Sequence, residues 1–227
     1  MANIDLSPLW ISLKTGVITI FITFFLGIYL ARLILNMKNS CLKIILDGLF
    51  TLPLVLPPTV IGFFLLLLFG NHQPIGKFFI RVFNFKIAFS FSATVIAAVV
   101  ISFPLMYRSA KGAMEQVDPD LEAVAKTLGM SNRRIFYTVI IPTSLPGIIS
   151  GGVLAFARGL GEFGATSMLA GNIIGKTRTL PLAVYSEVMA GDMKEAGIYV
   201  TIIVVICFLS ILFVNLYQHQ VMKKRGK

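Results

Sequence analysis

Charge is scarce in this chain. Asp, Glu, Lys and Arg make up 13% of its 227 residues, against about a quarter in an ordinary soluble domain. Two cysteines, Cys41 and Cys207, are too few and too far apart for a disulfide framework or a zinc site. His72 and His219 stand alone, so the sequence offers no catalytic set and no metal-binding set. Aromatic platforms on a soluble basic face are also missing. That excludes nucleic acid as a partner despite a net charge of +10.

Hydrocarbon fills the space instead. Hydrophobic residues account for 56% of the chain, and mean hydropathy is +0.86. Apolar runs lie between successive charges at Thr15–Ala31, Gly48–Gly70, Ile87–Tyr107, Ile135–Ala157 and Ala196–Gln218. About 20 apolar residues cross a bilayer as a helix. The expected fold is therefore an all-α integral membrane protein, one domain over 1–227, with five transmembrane helices near 10–35, 44–70, 87–107, 138–161 and 196–217. Gly159–Gly175 carries Glu162 as its one charge and has room for a short sixth, re-entrant helix at 159–175. Met1–Trp10 has Asp5 and no basic region, so the first run is expected to remain as a helix.

Basic residues set the orientation. One side collects twelve Lys and Arg: three between Arg32 and Lys43, five between Arg108 and Arg134, and four from Lys223 to Lys227. The other side collects seven, and Arg158 is left inside a span. Positive-inside bias puts the larger set in the cytoplasm, with the N-terminus outside and the C-terminus inside.

The long polar interruption on the cytoplasmic side, 108–137, has its own helix signals. Asp118 suits an N-cap, Pro119 the first helical position, and Gly129 a left-handed closure. Asp120 and Glu122 fall in the first turn, beside the positive end of the helix dipole. Leu121, Val124, Ala125 and Leu128 recur at i, i+3, i+4 and i+7, which makes one face apolar. A second helix is expected from Ser131. The apolar face must press on its own protein, on lipid headgroups, or on a separate soluble protein.

The spans differ in character. The first holds Thr15, Thr19 and Thr23 as its polar groups and reads as a peripheral helix whose hydroxyls bond back to their own backbone. The second contains Pro53, Pro57 and Pro58, which remove backbone donors and break regular helix. It is a static kink or a wall of a path that changes shape. External Asn71–Lys86, with Phe78, Phe79, Val82 and Phe83 beside Lys77 and Arg81, reads as holding a short helix on the membrane surface. Gly147 and Gly151 in the fourth span give a close-packing spacing. Arg158 and Glu162 lie four apart, and either charge alone costs about 2.5–3.5 kcal/mol at the bilayer centre. They form a structural ion pair or part of a gate. Ala170–Thr177 nearly spells a phosphate-binding loop but has Ala at the first glycine position, so no nucleotide site is expected there.

The cytoplasmic stretch resembles the signature of ABC importer permeases: a Glu-Ala-Ala triplet, three further residues, a Gly, and a Pro at the start of the next span. Gly129 and Ile140-Ile141-Pro142 occupy the matching places, while Ala123, Val124 and Ala125 fall on the triplet and the acid stands one position early, at Glu122. Phe156–Thr166 is similar to the oxyanion branch of that family, and Gly171–Pro181 and Leu52–Gly62 to its molybdate members. The likeness covers about residues 10–217.

The resemblance implies a homodimeric permease that binds no cofactor itself. Two cytoplasmic ATPase subunits would hold ATP and Mg²⁺, and an external molybdate-binding protein would deliver the anion. Leu121, Glu122, Ala123, Val124, Ala125, Leu128 and Gly129 would couple the permease to the ATPase. Pro57, Pro58, Ser150, Arg158, Glu162, Thr166 and Ser167 are the candidates for pathway or gate. Sulfate and tungstate are the alternative anions. A stand-alone secondary transporter or channel would more readily show intramembrane acids and an internal repeat.

Overall fold

A computed structural model describes residues 5–225, and side chains through Gln218. His219 and the basic cluster Lys223, Lys224 and Arg225 lie beyond the described side chains, and Lys227 lies outside the described residues. The described residues form helices and connecting turns.

Four helices are long and apolar enough to cross a membrane: α1 (Ser7–Leu35), α5 (Phe91–Glu115), the stretch Asn132–Leu160, and α11 (Met193–Arg225). Two shorter helices, α2 (Ser40–Val55) and α3 (Pro58–Phe69), meet at a 114° bend and make a fifth span if taken together. The 44–70 segment is thus not one continuous helix. Pro57 and Pro58 carry no N–H, so the carbonyls of Pro53 and Leu54 lose their donors, and Leu56 and Pro57 turn extended at ψ 142° and 136°.

α1, α5 and α8 (Ile141–Leu160) form the packed centre. Small residues let their backbones close up. A Cβ at Gly147 would lie 2.8 Å from that of Ala113, and one at Gly27 would lie 2.8 Å from Met106. At Gly151 an added Cβ would overlap the Ser109 side chain. The expected glycine packing surface of the fourth span is therefore used within the chain, against α5.

α1 is not peripheral. Ser12, Thr15, Thr19, Thr23, Gly27 and Ala31 recur every three or four residues and are all buried, while Val17, Phe21, Phe25 and Tyr29 cover the opposite face and are exposed. Thr23 bonds back to the Thr19 carbonyl as expected (2.8 Å), but Thr15 meets Thr94 of α5 at 2.9 Å, and Ser12 accepts the Leu180 N–H at 2.7 Å. Hydroxyls facing another helix at close range pair across the interface.

The connections hold shorter helices. α4 (Pro74–Phe83) exposes Phe78, Val82 and Phe83, as expected of a surface helix. On the other side the polar stretch 108–137 begins as helix. Arg108–Glu115 continues α5 as helix, because nothing in those residues breaks it. α6 (Pro119–Thr127) follows, then α7 (Asn132–Ile135) and a π turn at Phe136–Ile140 that runs into α8. Pro142 cannot donate to the Thr138 carbonyl, and Ile141 N–H reaches Phe136 O in π register.

Gly159–Gly175 contains only the six-residue α9 (Gly164–Leu169), too short to cross a bilayer. α10 (Leu180–Ala190) was not expected. Its signals were Pro181 in the first turn and Gly191, which closes it at φ +82°.

Candidate functional site

Two helix breaks meet inside the bundle. The turn after α8 sits against the turn before α3: a Cβ at Gly164 would lie 3.0 Å from that of Pro58, and one at Gly62 would lie 2.8 Å from the Ala165 Cα. Only glycine lets α3 and α9 approach so closely. Pro58, about a hundred residues earlier in the chain, thus belongs to one junction with Glu162 and Thr166.

Glu162 is the electrostatic centre of that junction. Its side chain is 1% exposed, and Oε2 lies 2.8 Å from Nη1 of Arg158. Oε1 accepts the Ala165 N–H at 2.8 Å. The carboxylate therefore pairs with the guanidinium at the end of α8 and satisfies a free donor at the start of α9. Thr166 is buried, and Ser167 turns its hydroxyl to the Gly164 carbonyl at 3.0 Å.

Ser150 stands apart from this group, eight residues before Arg158 and roughly 12 Å along the same helix. Its hydroxyl donates to the Pro146 carbonyl at 2.7 Å and accepts Nε2 of Gln218 at 2.5 Å, tying α8 to α11.

α6 has the geometry its residues imply. Asp118 caps it by accepting the Asp120 N–H at 2.9 Å, Gly129 closes it at φ +75°, and Ser131 caps α7. Ala125 points inward and is buried, whereas Leu121, Val124 and Leu128 are 45%, 58% and 75% exposed. Glu122 pairs with Lys126 at 3.8 Å on the surface, a contact of little energetic weight. Between α6 and the ends of α1 and α5 lies a cavity of about 830 Å³ lined by Arg32, Glu115, Glu122 and Phe136. The Arg32 guanidinium stacks 3.7 Å over the Phe136 ring.

The near-miss phosphate loop is folded on itself. The N–H groups of Lys176, Thr177 and Arg178 all donate to the Ile173 carbonyl, at 3.1, 2.9 and 3.0 Å. Amides that would cradle a phosphate are therefore engaged within the loop. Arg178 is drawn to Asn172 (3.1 Å) and Glu187 (3.3 Å), which fastens the loop to α10. Sequence reasoning missed this cluster, which bridges a loop and the next helix, and one linking Asp47 to Tyr107 and Lys111 (2.5 and 2.9 Å), which joins residues sixty or more apart.

Residues 23–226 match the family model described as binding-protein-dependent transport system inner membrane component. The chain belongs to that family. The permease is 40% identical to the putative molybdenum transport system permease protein YvgM of Bacillus subtilis, with 88% of this chain and 86% of that protein aligned. It is 39% identical to the molybdenum transport system permease protein ModB of Escherichia coli, with 95% and 94% aligned. Among solved structures it resembles the MetNI methionine ABC transporter in an inward-facing form, at TM-score 0.75 and 15% identity, covering 96% of each chain. A bacterial ABC transporter that imports alginate gives TM-score 0.75 at 13% identity, with 97% of the permease and 81% of that chain covered. These likenesses to solved structures are of fold. The permease is a multi-pass membrane protein.

Proposed function

We propose that this permease passes molybdate inward as one half of a homodimeric pore, driven by two soluble ATPase subunits and fed by an external molybdate-binding protein. Taking α2 and α3 as one broken span gives five crossings. An odd number puts the two termini on opposite sides, and the excess of Lys and Arg assigns the N-terminus to the outside and the C-terminus to the cytoplasm.

The observation that carries the reading is α6 itself. A helix capped at both ends, with three large apolar side chains turned away from the protein, offers a rigid surface to a soluble partner. The family match supplies the class of machine, and the names of the relatives point to the anion. The acid's place one residue ahead of the triplet, at Glu122, does not weaken this, because the proposed docking face is formed by Leu121, Val124 and Leu128.

Changing Leu121 and Leu128 together to Asp is expected to release the ATPase during purification of the complex. Retained co-purification would refute docking through α6. Stimulation of the intact complex's ATPase by binding protein loaded with molybdate, tungstate or sulfate identifies the anion. Equal stimulation by all three would remove molybdate from the assignment.

A further inference from the structure

One polar cluster has no task in the function above. Asp47 of α2 accepts the Tyr107 hydroxyl at 2.5 Å and the Lys111 ammonium at 2.9 Å, both on one carboxylate oxygen. Tyr107 is fully buried, and the Lys111 side chain is 17% exposed. The two donors sit one turn apart on α5 and face the same way.

We propose that Asp47 is the latch through which displacement of α6 reaches the broken pair α2/α3. It is a positioning residue for transport, with no contact to the anion. This rests on α6 being the element the ATPase moves.

The argument is one of attachment. α2 contributes no buried residue. Its contacts with the body are the Asp47 bonds and partly buried apolar side chains such as Phe50, whose ring stands edge-on to Phe103 and Tyr107 at 5.8 and 5.4 Å. Ring contacts slide; a carboxylate bonded to both a hydroxyl and an ammonium fixes register. Lys111 lies on the helix that turns directly into α6 through Gln116–Asp118. α3, beyond the Pro57 bend, is anchored on α9 through Gly62 and Gly164, and with it on the first half of α5 around Ala93 and Ala97. The bend thus lies between two anchors on opposite sides of Pro104 in α5, and an α2 that follows the second half of α5 must change the angle at Leu56–Pro57. Separating Asp47 from Tyr107 and Lys111 would leave the buried Tyr107 hydroxyl without its partner, so the latch has no stable half-open state.

The test uses the assembled complex in liposomes. Native Cys41, exposed on α2, and Gln116→Cys at the end of α5 are spin-labelled in a Cys207→Ser background, and the distance is read without nucleotide and with ATP trapped. With Asp47 intact, one narrow distance is expected in both states. Asp47→Ala should broaden it and lower molybdate taken up per ATP hydrolysed by about ten-fold, within the range of typical coupling between sites. Asp47→Glu, and the exchange of Asp47→Lys with Lys111→Asp, should recover most of that loss. If Asp47→Ala does not assemble, Tyr107→Phe removes one bond, keeps the ion pair, and should give an intermediate broadening. An unchanged distance and stoichiometry in the assembled variants, or α2 parting from α5 on ATP binding in the protein with Asp47 intact, would overturn the latch. Absence of ATP-driven molybdate uptake by the unaltered complex would instead refute the proposed function, and the distances would still decide whether α2 follows α5.

Discussion

Arg158 and Glu162 are joined at 2.8 Å across the end of α8, and the second oxygen of Glu162 simultaneously caps α9 through Ala165. The pair is therefore an ion pair and a helix cap at once. Exchanging the charges, Arg158→Glu with Glu162→Arg, should raise membrane levels above those of either single variant, because no charge is left unpaired. Uptake should stay below that of the unaltered protein, since an arginine at 162 has no lone pair for the Ala165 N–H. Immunoblots of membranes together with uptake assays separate the two effects. Equal levels in the single and double variants would remove the pairing from the account.

Gly129 holds φ +75° with nothing within 4 Å of where a Cβ would stand, so its requirement is conformational alone. Gly129→Ala should cost about 1 kcal/mol and Gly129→Asn less, because asparagine tolerates the left-handed region. The cost should appear as weaker retention of the ATPase during purification. Gly129→Ala holding the ATPase as firmly as the unaltered chain would mean that this closure does not set the angle of α6.

Gly151 makes the opposite demand. Its site faces Ser109 across the α5/α8 contact, whereas Gly48 and Gly112 have nothing within 4 Å. Gly151→Leu should force the helices apart and lower stability by about 1–3 kcal/mol or more. Gly48→Ala and Gly112→Ala should be tolerated, and α-helix propensity favours both. Thermal unfolding of the detergent-solubilised complex measures the contrast. A Gly151→Leu midpoint equal to that of Gly48→Ala would show that the contact yields easily.

Local signals in the chain were readable and long-range ones were not. Asp118, Pro119, Gly129 and Ser131 each act within four residues, so α6 and α7 could be outlined from the letters alone. Arg158 and Glu162 are likewise one helical turn apart. The Pro57 break was legible, but its 114° angle was not, because α3 is held by Gly62 and Gly164 against an element a hundred residues away. The helical course of Arg108–Glu115 is not marked in the sequence, because polarity marks the end of the membrane and a helix need not stop there. The buried threonine stripe of α1 was readable as a period but was assigned to lipid, since hydropathy cannot tell a packed neighbour from an acyl chain.

Two cations on the long helices are already committed. Lys111 lies 2.9 Å from Asp47, and Arg158 lies 2.8 Å from Glu162. Gathering a doubly charged oxyanion onto either would mean breaking a pair in a poorly solvated setting, at a cost that offsets the attraction. Polar groups near the junction include Thr59, Thr166, Ser167 and backbone amides, which give weak, replaceable contacts suited to passage. The permease purified without its binding protein should therefore show no tight molybdate site by calorimetry. Glu162→Gln, which frees the Arg158 charge, should be the variant in which measurable binding emerges and uptake slows. A submicromolar site in the unaltered permease would mean that the anion is selected inside the pore, and that the ion pairs are not what keeps the path weakly binding.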